Sequence, residues 1–133
     1  MTVRPCVPYP HALLKVPAVP VDEITPAVRE IWQDMIDTMD AMPGYGLAAV
    51  QIGLNLRLVV VDCSEARGQA VLMANPEILH ASGQFREHEE ASPNLPGVSA
   101  VLDAAARRHA LNELGWDSVA RRILERSGES VAC

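Results

Sequence analysis

Residues 44–51, Gly-Tyr-Gly-Leu-Ala-Ala-Val-Gln, combine small residues with a side-chain amide in one short segment. Two glycines and two alanines allow the backbone of such a segment to approach a ligand closely. The amide of Gln51 can donate a hydrogen bond to a carbonyl, or to the oxyanion that a carbonyl becomes during reaction. The segment is therefore predicted to be a ligand-binding loop, with Gln51 at its end.

An amphipathic helix is predicted immediately before this segment. Thr25 is placed as its N-cap and Pro26 as its first residue, and Pro43 ends it. Apolar side chains recur between them at three- and four-residue steps, which is typical of a helix with one buried face. The residues predicted to lie on that face are Val28, Ile31, Trp32, Met35 and Met39.

Short strands are predicted after the segment. Residues 54–61 are rich in leucine and valine, and residues 71–74 are expected to pair with them across a turn that contains Gly68. Residues 76–79 are predicted to form a further strand, and the charged residues 85–90 an edge strand or a loop. The five prolines among residues 1–20 argue against regular structure there, so an extended arm is expected.

Composition limits the classes of protein to which the chain can belong. With 133 residues it is long enough for one domain, and its net charge of −6 argues against binding nucleic acid or an anionic membrane. No apolar run is long enough to span a membrane, and no secretion signal is visible, so a soluble cytoplasmic protein is expected. Three scattered cysteines give neither a disulfide framework nor a zinc ribbon, and Cys63 is predicted to be buried on a strand. The oligomeric state is left open.

The sequence of residues 44–51 resembles the Gly-Leu-Ala-Ala-x-Gln signature of the peptide deformylases. The similarity extends over roughly residues 10–100 and includes Asn-Pro-Glu-Ile at positions 75–78. It implies an α+β fold, with a helix packed on short, mainly antiparallel strands. It also implies the family reaction, which is metal-dependent removal of the N-formyl group from the initiator methionine of a nascent polypeptide. By the same resemblance, Gln51 is the oxyanion donor, and the substrate-binding residues are Gly44, Gly46 and Leu47.

The residues that hold the metal in this family are replaced or missing. The family binds a divalent metal (iron, zinc or nickel) through a cysteine in Glu-Gly-Cys-Leu-Ser and two histidines in His-Glu-x-x-His. Residues 90–97 align with the first of these motifs and place Ser92 at the position of the cysteine. A neutral hydroxyl is a much poorer ligand than a thiolate, and Pro93 has no amide hydrogen for the oxyanion. The 133 residues contain no His-Glu-x-x-His, and His109 alone is not expected to be a ligand. No metal is therefore expected in this chain.

The residue pattern offers two other candidate sites. His80, His88, Glu89 and Glu90 could supply zinc ligands, but their spacing fits no helix or hairpin, so a charged surface edge is the preferred interpretation. The glycines of residues 44–49 match a loose dinucleotide-binding pattern. That motif requires a strand before the glycines and a helix after them, which is the reverse of the predicted order.

The family resemblance ends near residue 100. Residues 1–100 are accordingly predicted to form a deformylase-like domain without its metal-binding helix, and residues 101–133 a divergent helical tail. A shifted reading frame or a truncation would explain this tail, and so would a genuine element that covers the sheet. The expected function is a deformylase that is impaired or inactive. The alternatives are a non-enzymatic protein that binds formyl-Met peptides or another partner, a product without function, and an active enzyme with an unconventional metal site.

Overall fold

A computed structural model of the chain describes residues 2–80, 88–97 and 99–102. The chain divides into two compact units, of which the first comprises Met1–Val7 with Ala18–Glu77 and the second Pro8–Pro17 with Ile78–Cys133. The first unit contains a helix and a three-stranded sheet, and the second a two-stranded ribbon. Every helix in the described residues is too short or too polar to cross a lipid bilayer.

The helix of the first unit, α1 (Pro26–Ala41), begins where its capping residues predict. The Thr25 hydroxyl accepts a hydrogen bond from the Val28 amide, and Pro26 occupies the first turn, where no amide donor is needed. The helix ends two residues before Pro43, as expected. One face is buried as the periodicity predicts, although Ile31 is only half-buried and Thr38 takes a buried place. The buried residues are Val28, Trp32, Met35, Thr38 and Met39.

The sheet of the first unit consists of β1 (Gly46–Ala48), β2 (Leu58–Val61) and β3 (Val71–Ala74), in that spatial order. Both pairings are antiparallel, with Leu47 opposite Val60 and Leu58 opposite Ala74. The buried face of β1 and β2 packs with α1 into one aliphatic core. The predicted α+β fold, with a helix on short antiparallel strands, is therefore confirmed. So is the pairing of residues 71–74 with the preceding strand.

Two of the predicted strands have different limits. The strand predicted over 54–61 begins only at Leu58, because the backbone amide of Arg57 instead donates to the carbonyl of Val19 in the N-terminal arm. The strand predicted over 76–79 is wrong, since residues 75–80 contain no strand. Asn75 takes a positive φ of 50°, and its side-chain amide bonds both backbone groups of Val21 at 2.8 Å. This turn redirects the chain at the end of β3.

The N-terminal arm is mostly irregular, but it contains a 3₁₀ helix, η1 (Ala12–Lys15), that the proline count did not predict. Within the first unit, the start of the arm follows α1. The guanidinium of Arg4 lies 2.7 Å from the Asp34 carboxylate, and the backbone amide of Arg4 donates to the Thr38 hydroxyl at 2.9 Å. These contacts connect residues 30 and 34 positions apart and attach the arm to the helix.

The ribbon of the second unit pairs β4 (His88–Ala91) with β5 (Ser99–Leu102) in antiparallel register. Of the two structures predicted for residues 85–90, an edge strand or a loop, the described part from residue 88 is a strand. The sequence did not predict β5. The predicted helical tail lies outside the described residues from 103 onward. The proposed domain boundary after residue 100 stays a prediction.

The turn between β2 and β3 is organised by one buried carboxylate. Asp62 is 2% exposed and accepts hydrogen bonds from the Ser64 hydroxyl, from the Ser64 amide at 2.9 Å and from the Gln69 amide at 2.9 Å. The bonds from the Ser64 side chain and backbone hold the pKa of this carboxyl below its ordinary value of 3.8. Hydrogen bonds to the charged form have this effect because protonation would weaken them.

We expect Asp62→Asn to remove a pH-dependent contribution to stability. Because the folded pKa is lowered, the wild-type carboxylate stabilises the fold above about pH 3.8, and this stabilisation is lost as the pH falls through the lower folded value. Urea unfolding across this range should show the D62N variant less stable than wild type at neutral pH, with the difference shrinking in acid. Asp22→Asn, at an exposed site, is the control. A gap between D62N and wild type that stays constant with pH would contradict the assignment.

Candidate functional site

Strand β1 has one edge paired with β2, and no described strand pairs with its other edge. The carbonyl of Tyr45 accepts from the Asp62 amide at 2.9 Å, which fixes the alternation of backbone groups along the strand. The backbone of Leu47 is therefore directed to β2, and the backbone groups of Gly46 and Ala48 are directed to the open edge. An edge of this kind can bind an extended peptide by adding it to the sheet as a further strand.

Gln51 lies in a second 3₁₀ helix, η2 (Ala49–Ile52), that directly follows β1. Its Oε1 accepts a hydrogen bond from the Ala48 amide at 2.9 Å, and its backbone carbonyl accepts from the Val7 amide at 2.9 Å. The residue is only 9% exposed. Because the oxygen of the side-chain amide is turned to Ala48, the Nε2 end is the donor that points away from that bond. The structure thus fixes this side chain beside the end of β1.

The segment predicted to be a loop is thus a strand followed by a 3₁₀ helix. The loop prediction is wrong because the small residues of 46–48 pair with β2, a long-range interaction that local composition does not reveal. Gly44 lies before the strand, where its amide donates to the Met39 carbonyl at 3.0 Å and closes the end of α1. The Leu47 side chain is 1% exposed and belongs to the core. The roles of Gly44, Gly46, Leu47 and Gln51 in binding stay predictions.

Ser92 lies in the second unit, in the turn that follows β4. Its hydroxyl accepts from the Asn94 amide at 3.3 Å and donates to Asn94 Oδ1 at 3.4 Å. The Ser92 carbonyl also accepts from the Leu95 amide at 3.0 Å, so residues 92–95 form a β-turn with Pro93 at its second position. Ser92 is 8% exposed and Asn94 is 1% exposed. The serine hydroxyl therefore takes part in the hydrogen bonds of its own turn.

Comparison with known families identifies the fold. The model of the polypeptide deformylase family matches residues 3–109. The chain belongs to this family. A peptide deformylase-like protein of Bradyrhizobium diazoefficiens is 42% identical over 107 residues, which are 80% of this chain and 62% of that protein. The chain therefore spans less than two thirds of the length of this deformylase relative.

Solved deformylase structures agree with this assignment. The class I type b peptide deformylase of Acinetobacter baumannii superposes with a TM-score of 0.72 at 28% identity, covering 77% of this chain and 70% of that one. The peptide deformylase of Ehrlichia chaffeensis in complex with actinonin gives a TM-score of 0.70 at 28% identity, covering 77% of this chain and 63% of that one. The deformylase fold is thus shared.

The described residues do not fit the metal of the deformylase family. Ser92, which the sequence resemblance predicts to replace the cysteine ligand, is a neutral oxygen donor that is hydrogen-bonded within its own turn. Among the described residues, no three His, Cys, Asp or Glu side chains lie together as a metal site requires. His109 lies outside these residues, as do the side chains of His88, Glu89 and Glu90.

The first unit also contains a cleft of about 610 Å³ that sequence reasoning did not find. Cys63 lies in its wall and is exposed, so the prediction that this cysteine is buried is wrong. The reason is that β2 ends at Val61, two residues earlier. The cleft is formed by the end of α1, the connection into β1 and the turn after β2, and only folding brings these together. Its lining residues are Asp40, Pro43, Tyr45, Cys63, Ser64, Glu65 and Arg67.

We expect the two glycines around β1 to respond differently to alanine. A Cβ on Gly46 would lie 3.3 Å from the Val60 carbonyl oxygen of the central strand, whereas one on Gly44 would meet nothing closer than 3.6 Å. Gly46→Ala should therefore lower the free energy of unfolding by about 1 to 2 kcal/mol, and Gly44→Ala should change it by less than about 0.5 kcal/mol. Urea unfolding of both variants measures this. Equal stabilities would show that β1 approaches β2 less closely than described.

Proposed function

We propose that this chain is a deformylase-family protein that keeps a peptide-binding edge and is catalytically impaired. The proposed impairment is supported by the turn at Ser92, where a hydroxyl bonded to Asn94 is proposed to replace the metal-binding thiolate of the family. The next residue, Pro93, has no amide hydrogen to donate to an oxyanion. Two contributions to hydrolysis are thereby removed within two residues, while the segment around β1 keeps its family sequence.

The proposed ligand is a peptide with an N-terminal formyl-methionine. The outward amide and carbonyl of Gly46 are proposed to bond a peptide that adds to the sheet as a strand, whereas the Ala48 amide is already bonded to Gln51 Oε1. The Nε2 of Gln51 is proposed to donate to the formyl oxygen, and the buried Leu47 to anchor the strand from below. The family acts on nascent chains, so the proposed place of action is the cytoplasm.

The second candidate function is binding without hydrolysis, either of such peptides or of another partner. The open edge of β1 favours it, because backbone hydrogen bonding to an extended chain needs no metal. In that case the formyl group would matter less than the extended backbone. A comparison of formylated and unformylated Met peptides would therefore distinguish the two candidates.

We expect Gln51→Ala to weaken binding of formyl-Met-Ala-Ser by about three- to tenfold, since one hydrogen bond to the ligand is lost. The matched control is Gln33→Ala, because Gln33 is an exposed residue of α1 whose side chain donates to the Asp37 carboxylate. Isothermal titration of the three proteins at equal folded concentration measures the effect. If the Gln51→Ala variant and the wild-type protein bind the peptide equally well, Gln51 is not part of the proposed peptide site at the β1 edge.

We expect the purified chain to hold far less than one metal per molecule and to hydrolyse formyl-Met-Ala-Ser very slowly. The physical reason is the weak affinity of a neutral hydroxyl for iron, zinc or nickel compared with a thiolate. Elemental analysis and release of formate measure both quantities. The Acinetobacter baumannii deformylase, purified in the same way, is the positive control. Stoichiometric metal together with rapid turnover would refute the proposed impairment.

A further inference from the structure

Arg67 lies in the turn after β2 and contacts three separate segments of the first unit. Its Nη1 donates to the Asp62 carbonyl at 3.0 Å, and its Nη2 donates to Asp40 Oδ1 at 3.1 Å and to the Gly44 carbonyl. The guanidinium carbon also lies 5.6 Å from the centre of the Tyr45 ring. One side chain thus joins the end of β2, the end of α1 and the connection that leads into β1.

We infer that Arg67 is a positioning residue that sets the orientation of the open β1 edge for peptide binding, an inference that rests on the proposed function above. Arg67 is not expected to touch the peptide. It acts through Gly44 and Tyr45, the two residues that precede the first outward-directed backbone group, that of Gly46. Neither the deformylase signatures nor the residue pattern singles out this arginine.

The connection between α1 and β1 is held by hydrogen bonds at both of the residues that precede Gly46. The carbonyl of Tyr45 bonds the Asp62 amide, and the amide of Gly44 bonds the Met39 carbonyl. Arg67 adds the bond to the Gly44 carbonyl and places its guanidinium carbon 5.6 Å from the centre of the Tyr45 ring, a side chain that is 70% exposed. Because each peptide unit is planar, holding these groups leaves few free dihedral angles before Gly46. The outward amide and carbonyl of Gly46 are thereby held in one direction.

The ion pair with Asp40 is the least important of the Arg67 contacts. The Asp40 side chain is 47% exposed, and ion pairs of such accessibility contribute little because water screens them. The hydrogen bonds to the backbone carbonyls of Asp62 and Gly44 matter more. They need several donors held in one plane, which a guanidinium provides and an ammonium does not. The turn that carries Arg67 is itself fixed by hydrogen bonds to the buried Asp62 carboxylate. The backbone of the turn is therefore already ordered where it positions the Arg67 guanidinium.

The inference is tested with Arg67→Ala and Arg67→Lys, and with Arg57→Ala as the matched control. The Arg57 guanidinium is also half-buried and donates to a backbone carbonyl, but that carbonyl belongs to Pro76, after the end of β3, at 2.6 Å. The probe is formyl-Met-Ala-Ser, titrated at a temperature at which urea unfolding shows all variants to be folded. Amide hydrogen exchange of Gly46 and Ala48 in the free proteins is the second readout.

Arg67→Ala is expected to weaken peptide binding at least about fivefold and to speed exchange at Gly46, because the bond to the Gly44 carbonyl is lost together with those that tie it to Asp62 and Asp40. Arg67→Lys should restore only part of the affinity, and Arg57→Ala should bind like wild type even if it is equally destabilised. Unchanged affinity in folded Arg67→Ala overturns the inference, and if that variant does not fold, wild-type affinity in Arg67→Lys overturns it. A wild-type protein that binds no peptide overturns the proposed function and this inference together.

Discussion

The antiparallel pairing of β1 with β2 is the constraint on which the candidate site depends. Its register places Leu47 opposite Val60, so that both side chains enter the aliphatic core. Backbone groups alternate along a strand, and the same register therefore turns those of Gly46 and Ala48 away from the sheet. A shift by one residue would expose Leu47 and turn the other backbone groups outward. Core packing and the direction of the open edge are thus determined together.

The rest of the first unit holds this strand from both ends. Before the strand, the Gly44 amide donates to the Met39 carbonyl at the end of α1, and the side chain of Arg67 donates to the Gly44 carbonyl. Downstream, Gln51 returns its side-chain oxygen to the Ala48 amide while its own carbonyl accepts from Val7 of the N-terminal arm. The three-residue strand is short, and strands of this length need such neighbours to be stable. The arm, the helix and the β2–β3 turn therefore contribute to the site without being part of it.

In the second unit, hydrogen bonds within the chain account for the turn that contains Ser92. The turn at residues 92–95 is held by hydrogen bonds of Ser92 with Asn94 and Leu95, none of which requires a metal. A serine hydroxyl can accept a backbone amide in such a turn, but it does not offer the anionic sulfur that a borderline-soft metal prefers. Since function lies in a site placed on a fold, membership of the deformylase family fixes the architecture and leaves the reaction to be tested.

The sequence by itself determined the elements whose signals are local. Thr25 and Pro26 mark the start of α1 through contacts within one turn, and the apolar pattern of 71–74 with a nearby turn predicts the β2–β3 pairing. It also determined the family, through the Gly-Leu-Ala-Ala-x-Gln segment, and it predicts that Ser92 replaces the metal-binding cysteine. Only the tertiary structure decided that this segment is an edge strand, and that Arg67 reaches the connection before it. These features depend on residues about 15 to 25 positions apart, such as the Gly46–Val61 pair, and no local pattern encodes such distances.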